Sequence, residues 1–470
     1  MGGSLALLSG RYVTAALAYA GTAVIARTLS PDDWGGYSLI FAVLGIFGVI
    51  CDVEASRLVV AELLDPDADE GEVVGSYMVL RCGVAVIAYG FAIAVVTLGG
   101  YPDDLVRATL LGGSVLVLAA TWNALRLLFS VRQWLRSIAV VIVGAQVVQF
   151  GLTLAIAARP DASLVEFFLP AIAFDIVVLV VLVGIARRSV DLRFGLAPAR
   201  WWRWIRESAP IALGTIVTTV YFRVDTVMLS QLDTLESVGL YTVGYKFSDL
   251  IGFFDTAVMA AAFPLLVAAW PGRIGDLRAV FGGAATLLVT ASVGAIAVFT
   301  LFAEPAIVLL YGSRFDRAAD AARLLVAGQA LHFFVTLCIF TLIAVGKNRA
   351  YVKAGSVGLV LNIGLNLVLI PRYSFVGSGV ATILSEVVVL GILAAVVGRL
   401  PGLRPLPWAA LGRAATAGAV TVGVGLVAGL VLPWPVAAGA AGATYLGVLQ
   451  LTVPGGLRSM LDLLQPARAG

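Results

Sequence analysis

Apolar runs of about 20 residues follow one another along almost the whole chain, parted by short breaks that are polar or rich in Gly and Pro. A run of that length is what one helix needs to cross the hydrocarbon core of a bilayer. The breaks define 14 expected spans, at 5–26, 35–58, 76–98, 105–128, 137–157, 167–186, 208–231, 239–265, 279–303, 320–345, 350–370, 376–398, 409–431 and 435–453. Composition agrees: 60% of residues are hydrophobic and 13% charged, with mean hydropathy +1.01, whereas about a quarter of the residues in soluble domains are charged. The expected fold class is an all-α polytopic membrane protein. Arg11 and the apolar run to Ala26 have the outline of a secretion signal, but Arg27 leads at once into a second span, so this segment is expected to be retained.

Lys and Arg concentrate in the breaks after even-numbered spans, at Arg126, Arg132 and Arg136, at Lys347, Arg349 and Lys353, and above all between Arg187 and Arg206. Odd breaks carry acids such as Asp32, Asp33, Asp103, Asp104 and Asp233. By the positive-inside rule both termini are expected in the cytoplasm. The net charge of +3 is too small to point to nucleic acid. The Arg187–Arg206 connector, with Trp201, Trp202 and Trp204 interleaved, reads as an interfacial segment against anionic lipid. Cys51, Cys82 and Cys338 lie in apolar runs without metal-ligand spacing, so no metal site and no disulfide framework is expected.

One stretch breaks the apolar rule. Between Tyr221 and Asp255 the chain places Arg223, Asp225, Lys246, Asp249 and Asp255 within or beside spans, where each such group costs about 2.5–3.5 kcal/mol at a helix centre. Residues of this kind face a bundle interior or a watered cavity. The stretch also echoes an earlier one: Gly35-Gly36-Tyr37 opens the second span as Gly239-Leu240-Tyr241 opens the eighth, and Asp52 and Asp255 follow 15 and 14 residues beyond those tyrosines. Two six-span blocks related by an axis along the membrane normal are expected, with substrate bound between them. The expected divisions are an N-terminal six-helix lobe at 1–186, the basic and Trp-rich connector at 187–207, a C-terminal six-helix lobe at 208–398, and an extra helix pair with a cytoplasmic tail at 399–470.

The run Ala26-Arg27-Thr28-Leu29-Ser30-Pro31-Asp32-Asp33-Trp34-Gly35-Gly36-Tyr37 resembles the signature between the first two spans of bacterial polysaccharide-biosynthesis flippases. Ala209-Pro210, Tyr221-Phe222-Arg223-Val224-Asp225-Thr226-Val227-Met228-Leu229 and Val238-Gly239-Leu240-Tyr241 are similar to the seventh and eighth spans of the same family. That family lies in the multidrug/oligosaccharidyl-lipid/polysaccharide exporter superfamily. One departure is Asp52-Val53-Glu54, where second spans of the family often carry Asp-Xaa-Gly. The resemblance implies a V-shaped pair of lobes that carries an undecaprenyl-pyrophosphate-linked oligosaccharide across the bacterial plasma membrane by alternating access. It implies membrane lipids and glycan-assembly proteins as partners and no cofactor beyond H⁺ or Na⁺ coupling.

Such a cargo calls for a partly cationic cavity, and Arg suits phosphate through its planar fork of donors. Arg11, Arg223 and Lys246 are the candidate cations, with Tyr241, Tyr245 and Asp249 on the Lys246 face as candidate glycan contacts. Snorkelling is the plainer role for Arg11, and a packing stripe with one ion pair the plainer role for the Lys246 face. Asp52, Asp225 and Asp255 are candidate coupling-ion sites, with structural anchoring as the plainer role for Asp52 and Asp255. Arg81 is expected as an interface anchor, and Gln329, His332, Asn362 and Asn366 as interhelical hydrogen-bonding groups. Asp175 and Glu386 are single acids in the sixth and twelfth spans. A cation-coupled multidrug exporter and a membrane polymerase or glycosyltransferase are the competing functions. The second lacks loops large enough for a catalytic site, and no P-loop is present.

Overall fold

The computed structural model describes residues 2–51, 55–403 and 407–453, with side chains from Val13 onward. Without water to satisfy N–H and C=O groups, a spanning segment must close its hydrogen bonds on itself, and the described chain is helical in every long element. In order these are α1 (Gly2–Thr28), α2 (Pro31–Cys51), α3 (Ser56–Leu63), α4 (Glu70–Leu98), α5 (Asp103–Gly112), α6 (Ser114–Val131), α7 (Leu135–Ala157), α8 (Leu169–Ala186), α9 (Pro198–Tyr221), α10 (Val224–Leu232), α11 (Leu235–Ala269), α12 (Ile274–Tyr311), α13 (Ala318–Ala344), α14 (Asn348–Val397), α15 (Trp408–Val431) and α16 (Trp434–Thr452). Among the described residues, ten spans are each long and apolar enough to cross a bilayer, and the pair α9–α10, bent by 40°, makes an eleventh. The order of expected spans is recovered: α5 with α6 forms one, α9 with α10 another, and α14 divides into two at Ser374 (φ 55°, ψ −143°).

Two compact units result, residues 1–239 and 240–470. In the first, α4, α6, α7 and α8 close around Tyr77, Leu125, Leu128, Phe129, Val178 and Leu182. The bent seventh span, α9 and α10, packs on α2 within this unit. In the second, α11 to α14 enclose Met259, Leu266, Phe281, Leu288, Phe333, Leu337 and Leu393. The α15–α16 pair lies against α12, where the Tyr445 hydroxyl donates to the Thr290 carbonyl at 2.6 Å. Lipid tails are as apolar as Leu, so close van der Waals fit holds these helices together more than any transfer from water.

The repeat is visible in atomic detail at the starts of α2 and α11. Asp33 N–H donates to Ser30 Oγ at 3.1 Å, and Ser237 N–H donates to Thr234 Oγ1 at 3.2 Å. These are two equivalent caps, each followed two residues later by a glycine and four residues later by a tyrosine. The two glycines meet: a methyl group on Gly35 would strike the Leu235 carbonyl, and one on Gly239 would strike the Pro31 carbonyl. The same register sets Asp255 opposite Cys51, one residue short of Asp52, so the two carboxylates are neighbours in the repeat and not equivalents. Asp52 itself lies outside the described residues.

The basic connector is docked on protein. Its second half forms the first turns of α9, and Trp204 is fully buried, edge-on to Tyr77 at 5.5 Å. Trp201 Nε1 donates to Ser76 Oγ at 2.8 Å. Glu62 accepts from Trp204 Nε1 (3.0 Å), Arg203 (2.8 Å) and Arg200 (3.1 Å), and Arg200 also reaches Glu72 at 3.0 Å. Arg193 pairs with Asp69 and Asp191, each at 3.1 Å. The connector is thus anchored on protein through Arg193, Arg200, Trp201, Arg203 and Trp204, while Arg187, Arg188, Phe194, Leu196, Trp202 and Arg206 are exposed.

Two outcomes follow from these contacts. Gly35→Ala should destabilise the protein by about 1–3 kcal/mol, because backbone faces the added methyl and cannot give way. Gly184→Ala, in open space on α8, should leave the melting temperature in detergent unchanged. Glu62→Ala strands a buried indole N–H and should cost about 1–3 kcal/mol locally. Hydrogen exchange of residues 198–208 should then quicken, with Glu62→Gln intermediate.

Candidate translocation site

The seventh span is not continuous. α9 ends at Tyr221, Phe222 and Arg223 form a turn, and α10 restarts at Val224. Arg223 stands at the N-cap of α10 with φ −126° and ψ −20°, and its side chain is exposed. It lies over Gly45 of α2, with Nε 3.7 Å from where a Cβ on that glycine would sit. Helix breaks at membrane depth are tolerated where they are packed in protein or line water. Asp225, two residues on, turns the other way: it is 1% exposed, and its Oδ1 accepts from the Thr226 N–H at 2.7 Å. Beyond it Ser230 Oγ meets Tyr101 Oη at 2.6 Å.

The other candidates lie along α11. Tyr241 is fully buried, with its hydroxyl 3.4 Å from Thr382 Oγ1, and its ring stands edge-on to Tyr245 at 5.3 Å. Tyr245 and Lys246 are half-buried and Asp249 is exposed. Asp255 is 5% exposed, with Oδ1 3.5 Å from Thr256 Oγ1. The backbone of Arg11 belongs to α1, and its side chain lies outside the described residues. The structure therefore brings Arg223 and Asp225 together in the first unit, and Tyr241, Tyr245, Lys246, Asp249 and Asp255 on one helix that runs into the second.

Several polar groups occupy places that local sequence does not disclose. His332 Nδ1 lies 3.1 Å from Glu386 Oε2, joining α13 to the second half of α14. One turn earlier, Gln329 meets Ser248 of α11 at 3.5 Å. In the first unit Trp122 Nε1 donates to Asp175 Oδ1 at 2.8 Å, joining α6 to α8. Arg81, expected at an interface, is only 5% exposed, with its guanidinium 5.7 Å from the centre of the Tyr77 ring. Asn366 Nδ2 donates to the Asn362 side-chain oxygen at 2.9 Å, an expected polar stripe that closes within its own helix.

A family model described as "Polysaccharide biosynthesis protein" matches residues 2–270, more than half of the chain. The chain belongs to the polysaccharide biosynthesis protein family. Among solved structures, the lipid II flippase MurJ in an inward closed conformation superposes with a TM-score of 0.78 over 96% of this chain and 98% of that one, at 12% identity. An inward-facing multidrug resistance MATE family transporter of the MOP superfamily follows at 0.66, covering 81% and 92% at 12% identity. An outward-facing one gives 0.54 over 83% and 92% at 14% identity. No curated protein matches by sequence. At these identities the structural likenesses establish the fold, and the family match rests on the sequence itself. The chain itself is a multi-pass membrane protein, with ten or more helices among the described residues long and apolar enough to span a bilayer.

If the gap between Arg223 and α2 is watered, Arg223→Cys, made with Cys51, Cys82 and Cys338 replaced, should react with a charged, water-soluble thiol reagent. Gly45→Leu added to that background should slow the reaction by filling the space beneath position 223. Unchanged labelling rates would place the side chain elsewhere.

Proposed function

We propose that this polysaccharide-family protein is a flippase that carries a lipid-linked oligosaccharide, joined through pyrophosphate to an undecaprenyl-type lipid, across the bacterial plasma membrane by alternating access. Both termini are taken as cytoplasmic on the distribution of Lys and Arg. The observation that carries the reading is Arg223 at the start of α10. A guanidinium and the positive end of a helix coincide there, on an exposed face beside a glycine of α2. Both favour an oxyanion, and the planar donor fork fits phosphate. The carboxylate of Asp225 is buried and accepts from the Thr226 N–H in the first turn of α10, so the exposed charge at this helix start is the Arg223 guanidinium.

Lys246 is proposed as the second cation, with Arg11 as the third. Tyr245 and Asp249, at the less buried positions of α11, are proposed as glycan contacts, with Tyr241 packed beneath Tyr245 as its support. Asp52, Asp225 and Asp255 are each proposed as candidate coupling-ion ligands. The protein acts by moving its cargo and makes no covalent change in it.

Arg223→Ala should reduce surface polysaccharide by about 10–100-fold, the worth of a charged hydrogen bond of about 1.5–3 kcal/mol, while the protein still reaches the membrane. Arg223→Lys should recover only part of the loss, because a point charge lacks the fork. Normal polysaccharide from Arg223→Ala would remove this residue from the site. Transport of cationic dyes by the purified protein in vesicles would move the assignment to a multidrug exporter.

A further inference from the structure

The connector between α8 and α9 divides its arginines into two sets. Arg193, Arg200 and Arg203 are answered by Asp69, Asp191, Glu62 and Glu72 at 2.8–3.1 Å. Arg187, Arg188 and Arg206 are exposed, and among the described residues none of the three forms an ion pair with a carboxylate. Within the connector Asp191 is taken up by Arg193, and the other acid is the exposed Glu207. The first turns of α9 separate the two sets by face. Trp201, Trp204 and Ser208, at helical spacing, face protein, and Trp202 and Arg206, four apart on the opposite side, are exposed.

The unpaired arginines have apolar company. Phe194 is 53% exposed, Trp202 66% and Leu196 78%, large side chains that the connector leaves uncovered beside its free cations. Cations interleaved with exposed aromatic and aliphatic groups make the composition of a segment lying in the headgroup layer of a bilayer. The depth fits. The connector leaves α8 where one apolar span ends, and Trp201 is hydrogen-bonded to Ser76, the residue at which the apolar run of α4 begins. A soluble partner reaching this surface would have to displace the headgroups around those two spans. Residues 187–192 also curl around an open cleft of about 570 Å³ with Arg187, Arg188 and Asp191 in its lining, which gives a phosphate room to approach the two guanidinium groups.

We propose that the exposed half of the connector is a docking surface for anionic phospholipid of the adjoining leaflet: Phe194, Leu196 and Trp202 enter the boundary between headgroups and acyl chains, and Arg187, Arg188 and Arg206 meet the lipid phosphates. The paired half, fixed on Glu62, Asp69 and Glu72, holds that surface in place. Lipid docking belongs to the protein whatever cargo it carries, so it is measured without cargo and stands apart from the flippase reading.

The test uses the full-length protein with Cys51, Cys82 and Cys338 replaced and an environment-sensitive fluorophore on Gly195→Cys, a position where a side chain meets open space. It is held in nanodiscs in which phosphatidylglycerol replaces phosphatidylcholine stepwise. Emission should shift to the blue as the anionic lipid rises, and added NaCl should reverse the shift, because exposed charges are screened by salt. An arginine near an anionic surface is worth about fivefold in affinity. Arg187→Gln, Arg188→Gln and Arg206→Gln combined should therefore raise the phosphatidylglycerol fraction at half-response by about tenfold or more. Phe194→Ser with Leu196→Ser should shrink the shift itself. Equal charge removed from exposed residues of the second unit, by Lys347→Gln, Arg349→Gln and Lys353→Gln, should leave the response unchanged. Emission that ignores the headgroup, or a triple arginine variant that responds as the parent does, would overturn the proposal and leave this surface to an acidic protein segment. An equal loss in the second-unit variant would also overturn it, by showing that net charge and not this surface sets the response.

Discussion

Inside a bilayer no water stands ready to solvate a backbone group or a charge, so every polar atom at that depth needs an answer from the protein itself. Helices answer for the backbone. The side chains divide into those answered by a neighbour and those left on an exposed face. Asp175 is answered by Trp122, Glu386 by His332, and Glu62 by three donors near the end of the membrane-spanning region. Arg223 belongs to the other class, exposed at a helix break.

The same constraint explains why glycine sits where it does. Helices that gain little by leaving lipid hold together by close approach, and the approach of α2 to the start of α11 is limited only by backbone. Gly35 and Gly239 each face a carbonyl of the other segment. Because both come from the same position of a repeated motif, one requirement is met twice by one local solution: a hydroxyl cap, a glycine two residues beyond the capped N–H, and a tyrosine two residues after that.

The number and order of spans were legible because hydropathy selects them directly, and the bent seventh span and divided α14 fall where Arg223 and the Pro371–Ser374 stretch interrupt apolar runs. The repeat was legible through Gly35, Tyr37, Gly239 and Tyr241. The docking of the basic connector was not, because an Arg- and Trp-rich segment looks the same whether it meets lipid phosphate or Glu62 and Glu72. Nor was the His332–Glu386 bridge, since its partners stand 54 residues apart and each alone resembles an ordinary polar residue in a helix. The sequence clue that does exist is comparative: Asp175 and Glu386 occupy matching spans, and a ring nitrogen lies a nearly equal distance before each.

That comparison also bears on how a repeated fold divides its labour. Duplication supplies two equivalent scaffolds, and a change of charge in one copy can be tolerated while the other keeps the original packing. In the first copy the bridge donor is an indole that cannot ionise, and the helix opening at Pro31 runs on through Ala42, Gly45 and Gly48 at positions that in the second copy hold Lys246, Asp249 and Gly252. In the second copy the bridge is titratable and the matching helix carries Lys246, Asp249 and Asp255. Along these two matching helices, Ala42 and Gly45 of one copy stand where the other holds Lys246 and Asp249. The small residues then make room for a charge from elsewhere, as Gly45 does beneath Arg223.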